Sequence, residues 1–360
     1  MVSTLASNPG LPAAVAAAPA PDATYPWLVA DIGGTNARFG WVSAPGAPVT
    51  QVRKLSVPAF VGPAEAAMAY LAELAQQPGA DGRAPRHAAF AVATAVAGDR
   101  IVFTNSHWAF SRTAVQAALG LDSLLMLNDF ESLAMSLPRL GGHDIRQVGG
   151  GHAVAKSVIG LLGSGSGLGV SALIPAGDGW VSLGSEGGHT SFSPRDEREI
   201  VVLRHAWQQF EHVSFERLLS GPGLALIYRA LAEHAGARPD QLVPLAAPEI
   251  TRRALAGTDR VCVDTIEVFC AMLGTTAANL AVTLGAFGGI YIGGGIVPRL
   301  GDYFDRSPFR QRFEDKGRFS RYVAAIPTAL ITDTLAALSG AAMAIEQAVA
   351  PSWPPTIKAA

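Results

Sequence analysis

Apolar residues fall along this chain in short runs of two kinds. Trp27-Leu28-Val29-Ala30 is a continuous apolar run of strand length, and it ends at Asp31 and a glycine pair. A second strand-like run covers residues 38–42. Residues 63–76 are alanine-rich and open on proline, which favours a helix start. Residues 88–96 and 100–104 read as strands, 112–119 as a helix, and 124–127 as a buried strand running straight into a helix over 130–136. Residues 158–162 and 170–174 flank another glycine turn. After Ser193-Pro194, a helix start, Ile200, Leu203, Trp207 and Phe210 recur at helical spacing. Ser214 then begins a short helix ending at Gly221-Pro222-Gly223. Strands and helices interleave throughout, so the class is α/β. The strand–glycine turn–strand unit occurs twice, near Asp31 and near Gly163, which predicts a duplicated fold with a cleft between its halves.

Residues 268–298 contain no Asp, Glu, Lys or Arg and are long enough to span a bilayer. Seven glycines and the polar Thr275, Thr276 and Asn279 favour a buried helix up to Leu284, a break at Gly288-Gly289, and a central strand at Ile290-Tyr291-Ile292. No membrane span is expected. Residues 1–24 are mostly Ala, Pro, Ser and Gly, with no basic residue before Arg38, so a disordered extension is expected rather than a signal peptide.

Composition narrows the picture. Of 360 residues, 49% are hydrophobic and 16% charged, which excludes intrinsic disorder. A net charge of −2 gives no footprint for nucleic acid or an anionic membrane. Two cysteines, Cys262 and Cys270, make neither a disulfide framework nor a four-cysteine zinc site. Glycine is in excess, at 39 residues against a usual share of about 7%.

Two glycine turns carry candidate chemistry. Asp31-Ile32-Gly33-Gly34-Thr35-Asn36 follows the first strand, and Gly163-Ser164-Gly165-Ser166-Gly167-Leu168-Gly169 follows a later one. Neither has the lysine of a Walker loop, and neither has the spacing of a dinucleotide fingerprint. Strands rather than helices follow both. These are β-hairpins whose backbone N–H groups, with Thr35, Asn36 and Ser166, are able to hold phosphate oxygens. Each also fits an ordinary tight hairpin.

The carboxylates stand at element ends. Asp129, in Leu127-Asn128-Asp129-Phe130, lies where a buried strand hands over to a helix. Open α/β sheets place ligands there, and a carboxylate so placed is able to act as a general base. The same position suits a helix N-cap. Glu186-Gly187-Gly188-His189 fits a loop that hydrogen-bonds a polyhydroxyl ligand better than a metal site, since Gly-Gly argues against a helix and no third ligand is near. Glu216 serves either a helix dipole or a ligand.

Taken in order, DIGGTN at 31–36, TNSHW at 104–108, LNDFESLA at 127–134, GSGSGLGV at 163–170, EGGH at 186–189, SFERLLSGPG at 214–223, GGIYIGGGIVPR at 288–299 and FEDKGRF at 313–319 closely resemble the bacterial glucokinase family. The resemblance covers about residues 28–345. It implies the two-lobed, ribonuclease H-like fold of the actin/hexokinase/Hsp70 ATPases, with a small domain over 25–138 plus 330–350 and a large one over 139–329. It also implies transfer of the ATP γ-phosphoryl group to the C6 hydroxyl of D-glucose. Asp129 is then the general base, and Asn105, Asn128, Glu186, His189 and Glu216 bind sugar. Asp31, Gly33, Gly34, Thr35, Asn36, Gly163, Gly165, Ser166 and Gly167 bind ATP phosphates, with Asp31 placing Mg²⁺. Gly293, Gly294 and Gly295 let adenosine lie against the backbone. A cytoplasmic homodimer is expected. Ser164 and Ser166 depart from the family's usual residues but keep hydroxyls, and residues 332–337 lack its usual Pro-Gly before the last helix. A repressor on the same fold lacks a basic helix-turn-helix here, the cysteine-rich zinc motif of the related ROK (repressor/open-reading-frame/kinase) family is absent, and the sugar motifs disfavour an acetate or glycerol kinase.

Overall fold

The computed structural model describes residues 24–77 and 82–349, so the extension expected over 1–24 lies outside the described residues except for Thr24. Among the described residues there are thirteen strands: β1 (Trp27–Ile32), β2 (Asn36–Val42), β3 (Thr50–Ser56), β4 (His87–Val92), β5 (Arg100–Val102), β6 (Ala109–Ser111), β7 (Ser123–Asn128), β8 (Ile145–Gln147), β9 (Ile159–Ser164), β10 (Leu168–Ala176), β11 (Gly179–Ser185), β12 (Ile290–Gly293) and β13 (Thr328–Ile331). They form a sheet of order β3-β2-β1-β4-β7, a sheet of order β11-β10-β9-β12-β13-β8, and the small β5-β6 ladder. In the first sheet β1, β4 and β7 are parallel, with β2 and β3 antiparallel on one side. In the second, β9, β12 and β13 are parallel, with β10 and β11 antiparallel on one side and β8 antiparallel on the other. The first five strands of the two sheets thus share order and direction, and each sheet contains one of the two glycine hairpins, β1–β2 and β9–β10.

The apolar runs are continuous because both faces of the central strands are covered. Leu28, Ala30 and Ile32 pack into one core with Phe39, Tyr70 and Phe90, on the side of helix Pro63–Ala75. Trp27 and Val29 point the other way, against Leu338, Ala341 and Ile345 of the last helix, Ala336–Val349. In the second sheet Leu162 joins the core of helix Arg260–Leu284, with Ile266, Phe269 and Leu273. Ile159 and Leu161 face Ala134, Met135 and Leu137. Each fully buried Leu, Phe or Ile in these layers contributes roughly 2 kcal/mol. Helix Arg260–Leu284 is long and apolar enough to cross a membrane, and most of it is buried inside the protein. It ends, as the sequence predicts, at Leu284, where Gly285 takes the left-handed cap conformation (φ 60°).

Several boundaries differ from the sequence reading. β4 stops at Val92 rather than residue 96, because Thr94 N–H turns back to the Val92 carbonyl at 2.8 Å and the Thr94 hydroxyl bonds the Val102 carbonyl. The helix after Ser193-Pro194 starts at Glu197, where the Asp196 side chain accepts the Glu199 N–H at 3.0 Å. Trp207 lies just beyond that helix and is 58% exposed, so it is not part of the apolar stripe. Gly221 does not end a helix but opens one, Gly221–His234, capped by the Ser220 hydroxyl on Gly223 N–H at 3.2 Å. The turn at 332–337 forms without Pro-Gly: Asp333 Oδ1 accepts the Leu335 N–H at 2.8 Å, and the Asp144 carbonyl accepts Thr332 N–H at 2.8 Å.

Candidate active site

β7 delivers Asn128 to the start of helix Asp129–Ser136. Asn128 is the N-cap: its Oδ1 accepts Phe130 N–H at 2.9 Å, and Glu131 Oε2 accepts Asn128 N–H at 3.1 Å. This is a capping box, and the spacing Asn128…Glu131 is its signature. Asn128 Nδ2 also donates to the Thr94 carbonyl at 3.3 Å, so this side chain is engaged at both ends. The capping role expected as an alternative for Asp129 therefore falls to Asn128, and Asp129 takes the first helical position. No cation pairs with Asp129 among the described residues. Burial and then the negative charge of Asp31 push its carboxyl up to about 6, against hydrogen bonds that favour the ionised form.

Asp31 is the penultimate residue of β1, in register with Arg38 on β2, and Arg38 Nη1 donates to Asp31 Oδ2 at 3.0 Å. Burial raises the Asp31 pKa, while Arg38 acts in the opposite direction. The hairpin behind it closes through Gly33 N–H to the Asn36 carbonyl at 2.9 Å, and Val57 N–H caps the Thr35 carbonyl at 2.9 Å. Asn105 meets this turn. Trp108, buried, donates Nε1–H to the Phe60 carbonyl at 3.0 Å and anchors the 104–108 loop, and a Cβ on Gly34 would stand 2.5 Å from the Asn105 carbonyl.

Glu186, His189 and Glu216 come together from two segments. His189 Nε2 lies 3.6 Å from Glu216 Oε1 and 3.9 Å from Glu186 Oε2. The segments are stitched by a Ser191–Ser214 bridge and by Phe215 N–H to the Thr190 carbonyl at 3.0 Å.

The second hairpin meets the third glycine cluster. Gly163 pairs in register with Gly293, and Ile296 N–H donates to the Ser164 carbonyl at 3.1 Å. Gly294 must be glycine on two counts: its φ is +83°, and a Cβ there would lie 2.4 Å from the Ser164 carbonyl. Ser164 is fully buried and donates its hydroxyl to the Leu219 carbonyl, whereas Ser166 is exposed. A cavity of about 360 Å³ opens beside this junction, lined in part by Ser166, Glu216, Arg217, Ser220, Tyr228 and Arg229.

The Asp129 helix links the two halves of the site. A Cβ on Gly169 would lie 2.1 Å from the Phe130 ring, one on Gly293 would lie 2.7 Å from Leu133, and one on Gly184 would lie 2.9 Å from Glu131 Oε1. Arg38 and Glu131 were not singled out in the sequence. Arg38 was detectable as the hairpin position opposite Asp31, and Glu131 as the capping-box acid. Among the described residues no three His, Cys, Asp or Glu side chains group to hold a metal ion. Asp31 alone suits a Mg²⁺ that arrives with phosphates, since that ion keeps its waters and takes one or two carboxylates.

Paired glycine hairpins, half-buried carboxylates near strand ends and a carboxylate–histidine cluster fit an enzyme site of the sugar-kinase class. The glucokinase family model matches residues 28–348. The chain is 48% identical to a glucokinase of Chromobacterium violaceum over 93% of its own length and 94% of that protein's. It is 49% identical to a glucokinase of Aromatoleum aromaticum over 91% and 96% of the two lengths. The crystal structure of a glucokinase from an Antarctic psychrotroph is 33% identical, with a TM-score of 0.80 over 89% of this chain and 98% of that one. This chain belongs to the glucokinase family.

Proposed function

We propose that the protein phosphorylates D-glucose at the C6 hydroxyl with ATP, giving glucose 6-phosphate and ADP. The observation that carries this reading is Asp129, a carboxylate held at the carboxyl end of a parallel strand with its pKa raised to about 6 by burial and by Asp31. As the C6 oxygen bonds the γ-phosphorus and the bond to the β-phosphate breaks, Asp129 takes the hydroxyl proton. A positioned base of this kind contributes about 10²–10⁴ in rate. Glu186, His189, Glu216 and Asn105 orient the sugar, and Asn128 does so through the helix start it caps. Backbone N–H groups of the 33–36 and 163–167 turns hold the phosphates, with the Thr35, Asn36 and Ser166 side chains. Gly293, Gly294 and Gly295 leave room for the nucleoside. Asp31 would meet a Mg²⁺ arriving with ATP, an ion that would neutralise phosphate charge.

The two alike sheets support a two-lobed actin-like fold with a cleft, divided as 25–138 plus 330–350 and 139–329. A cytoplasmic homodimer belongs to the same reading, and sedimentation at micromolar concentration tests the dimer. The activity is tested by ATP-dependent phosphorylation of glucose by the intact protein and by Asp129→Ala. Turnover with glucose that Asp129→Ala abolishes is expected. No turnover with any hexose overturns the kinase reading, and full turnover by Asp129→Ala overturns the assigned base.

A further inference from the structure

One carboxylate touches both halves of the proposed site. Glu216 Oε1 faces His189 Nε2 at 3.6 Å, on the sugar side. Glu216 Oε2 accepts the Leu168 N–H at 2.9 Å, and that amide closes the second glycine hairpin. The contact requires glycine at 167, because a Cβ there would stand 2.5 Å from Glu216 Oε2. The same short segment holds the turn elsewhere too. The Ser164 hydroxyl donates to the Leu219 carbonyl, and Gly221 N–H donates to the Gly165 carbonyl at 2.9 Å. Inside the turn, Gly165 N–H reaches the Gly167 carbonyl at 2.8 Å. Residues 216–221 are therefore the floor on which the turn rests.

We propose that Glu216 couples the two substrates: its contact with Leu168 N–H makes nucleotide affinity depend on whether sugar is bound. This rests on the glucokinase reading above. Glu216 is part-exposed, and its Oε1 has only a 3.6 Å approach to His189. A sugar hydroxyl donating to Oε1 fixes the side chain, and Oε2 is thereby held on Leu168 N–H. The hairpin keeps the shape in which its other N–H groups face phosphate. The ordering cost is met once, so the second substrate binds more tightly, and linkage makes the effect reciprocal.

The test is titration of the intact protein with a non-hydrolysable ATP analogue and Mg²⁺, with and without saturating glucose. Wild type is expected to bind the analogue about fivefold or more tightly with glucose present. Glu216→Gln retains one carbonyl oxygen for Leu168 N–H. Its sugar-free nucleotide affinity is expected to stay within about twofold of wild type while glucose binding weakens about tenfold, the scale of a lost charged hydrogen bond. Glu216→Ala has no acceptor, so its sugar-free nucleotide affinity drops about fivefold and glucose no longer improves it. Thermal melting shows whether Glu216→Ala is folded. Gly167→Ala, which displaces the carboxylate from the other side, gives the same sugar-free loss by an independent route. Wild-type nucleotide affinity in both Glu216→Ala and Gly167→Ala, or persistent tightening by glucose in Glu216→Ala, overturns the coupling while leaving the kinase reading intact. Failure of wild type to bind either substrate overturns the kinase reading itself.

Discussion

Arg38 Nη1 and Asp31 Oδ2 stand 3.0 Å apart across one rung of the first hairpin, so the strand register itself aims the Asp31 carboxylate. That carboxylate stays close enough to Asp129 for its charge to matter, and it adds to burial in raising the Asp129 pKa to about 6.

Asp129 accepts a proton only when ionised. In free enzyme kcat/KM for glucose is therefore expected to climb with pH through about 6 and level off above 7. A profile flat from pH 5 to 8 would contradict this.

The same shift predicts a stability gain from removing the charge. The folded pKa lies above the ordinary 3.8, so between these values the native state binds more protons and stability falls as pH rises. Asp129→Asn is expected to melt about 2–4 °C higher than wild type at pH 7, corresponding to about 1 kcal/mol. Well below 3.8, at about pH 2.5, the two should melt alike, because Asp129 is then protonated in both folded and unfolded states.

Arg312 clamps two acids, with Nη1 2.7 Å from Glu199 Oε1 and Nη2 2.7 Å from Asp196 Oδ2. Glu199 is 1% exposed, and burial raises its pKa. Arg312→Met strands that carboxylate and is expected to cost about 3–5 kcal/mol in urea unfolding at pH 7. Protonation of the stranded acid makes the loss smaller at pH 5. Turnover per folded molecule should remain, since the clamp lies outside the proposed site.

Gly340 marks the crossing of the last helix with the Asp129 helix: a Cβ there would lie 1.6 Å from the Ser132 carbonyl. Gly340→Ala must push the helices apart, and about 2–3 kcal/mol of stability should go. Because Ser132 and Asp129 share one helix, kcat is expected to fall more than KM changes. Steady-state kinetics at a temperature where the variant is folded separates the two effects.

Cys262 and Cys270 are buried and free, and burial above all pushes both thiols up to about 12. Neither is expected to react with a thiol-specific chromogenic disulfide reagent at pH 7.5 until denaturant is added. Fast labelling of native protein would show that one of them is reached by local opening.

Much of the candidate site was legible because its proposed residues sit at element ends. Asp31, Asn128–Asp129 and the glycine hairpins fall where apolar runs stop, and those stops are visible in residue order. The packing that joins them was not. Nothing in the spacing of Gly167 and Glu216 says that one needs a missing side chain for the other to reach Leu168 N–H. Trp207 followed the helical period but lies past the last turn, because periodicity carries no signal for the C-cap. Gly221 read as a stop, since glycine and proline end helices more often than they begin them; Ser220 as N-cap and Pro222 in the first turn were the available counter-evidence. The edge strand β3 is mostly exposed and polar and gives little sequence signal. Helices Gly221–His234 and Ala247–Ala256, by contrast, bury Leu224, Ile227, Tyr228 and Leu231, and Ile250 and Ala254, at helical spacing that was legible and is absent from the sequence reading.

The Ser132 hydroxyl donates to the Ala337 carbonyl at 2.7 Å, across 205 positions of sequence. A ribosome delivers the Asp129 helix long before it delivers the helix that braces it. Until residues 336–349 emerge, a nascent chain already carries every proposed ligand for sugar and phosphate, yet the Asp129 helix lacks this support. Helix Ala336–Val349 thus fastens the Asp129 helix only after some two hundred further residues have been made, and the geometry of the proposed base waits on that late contact.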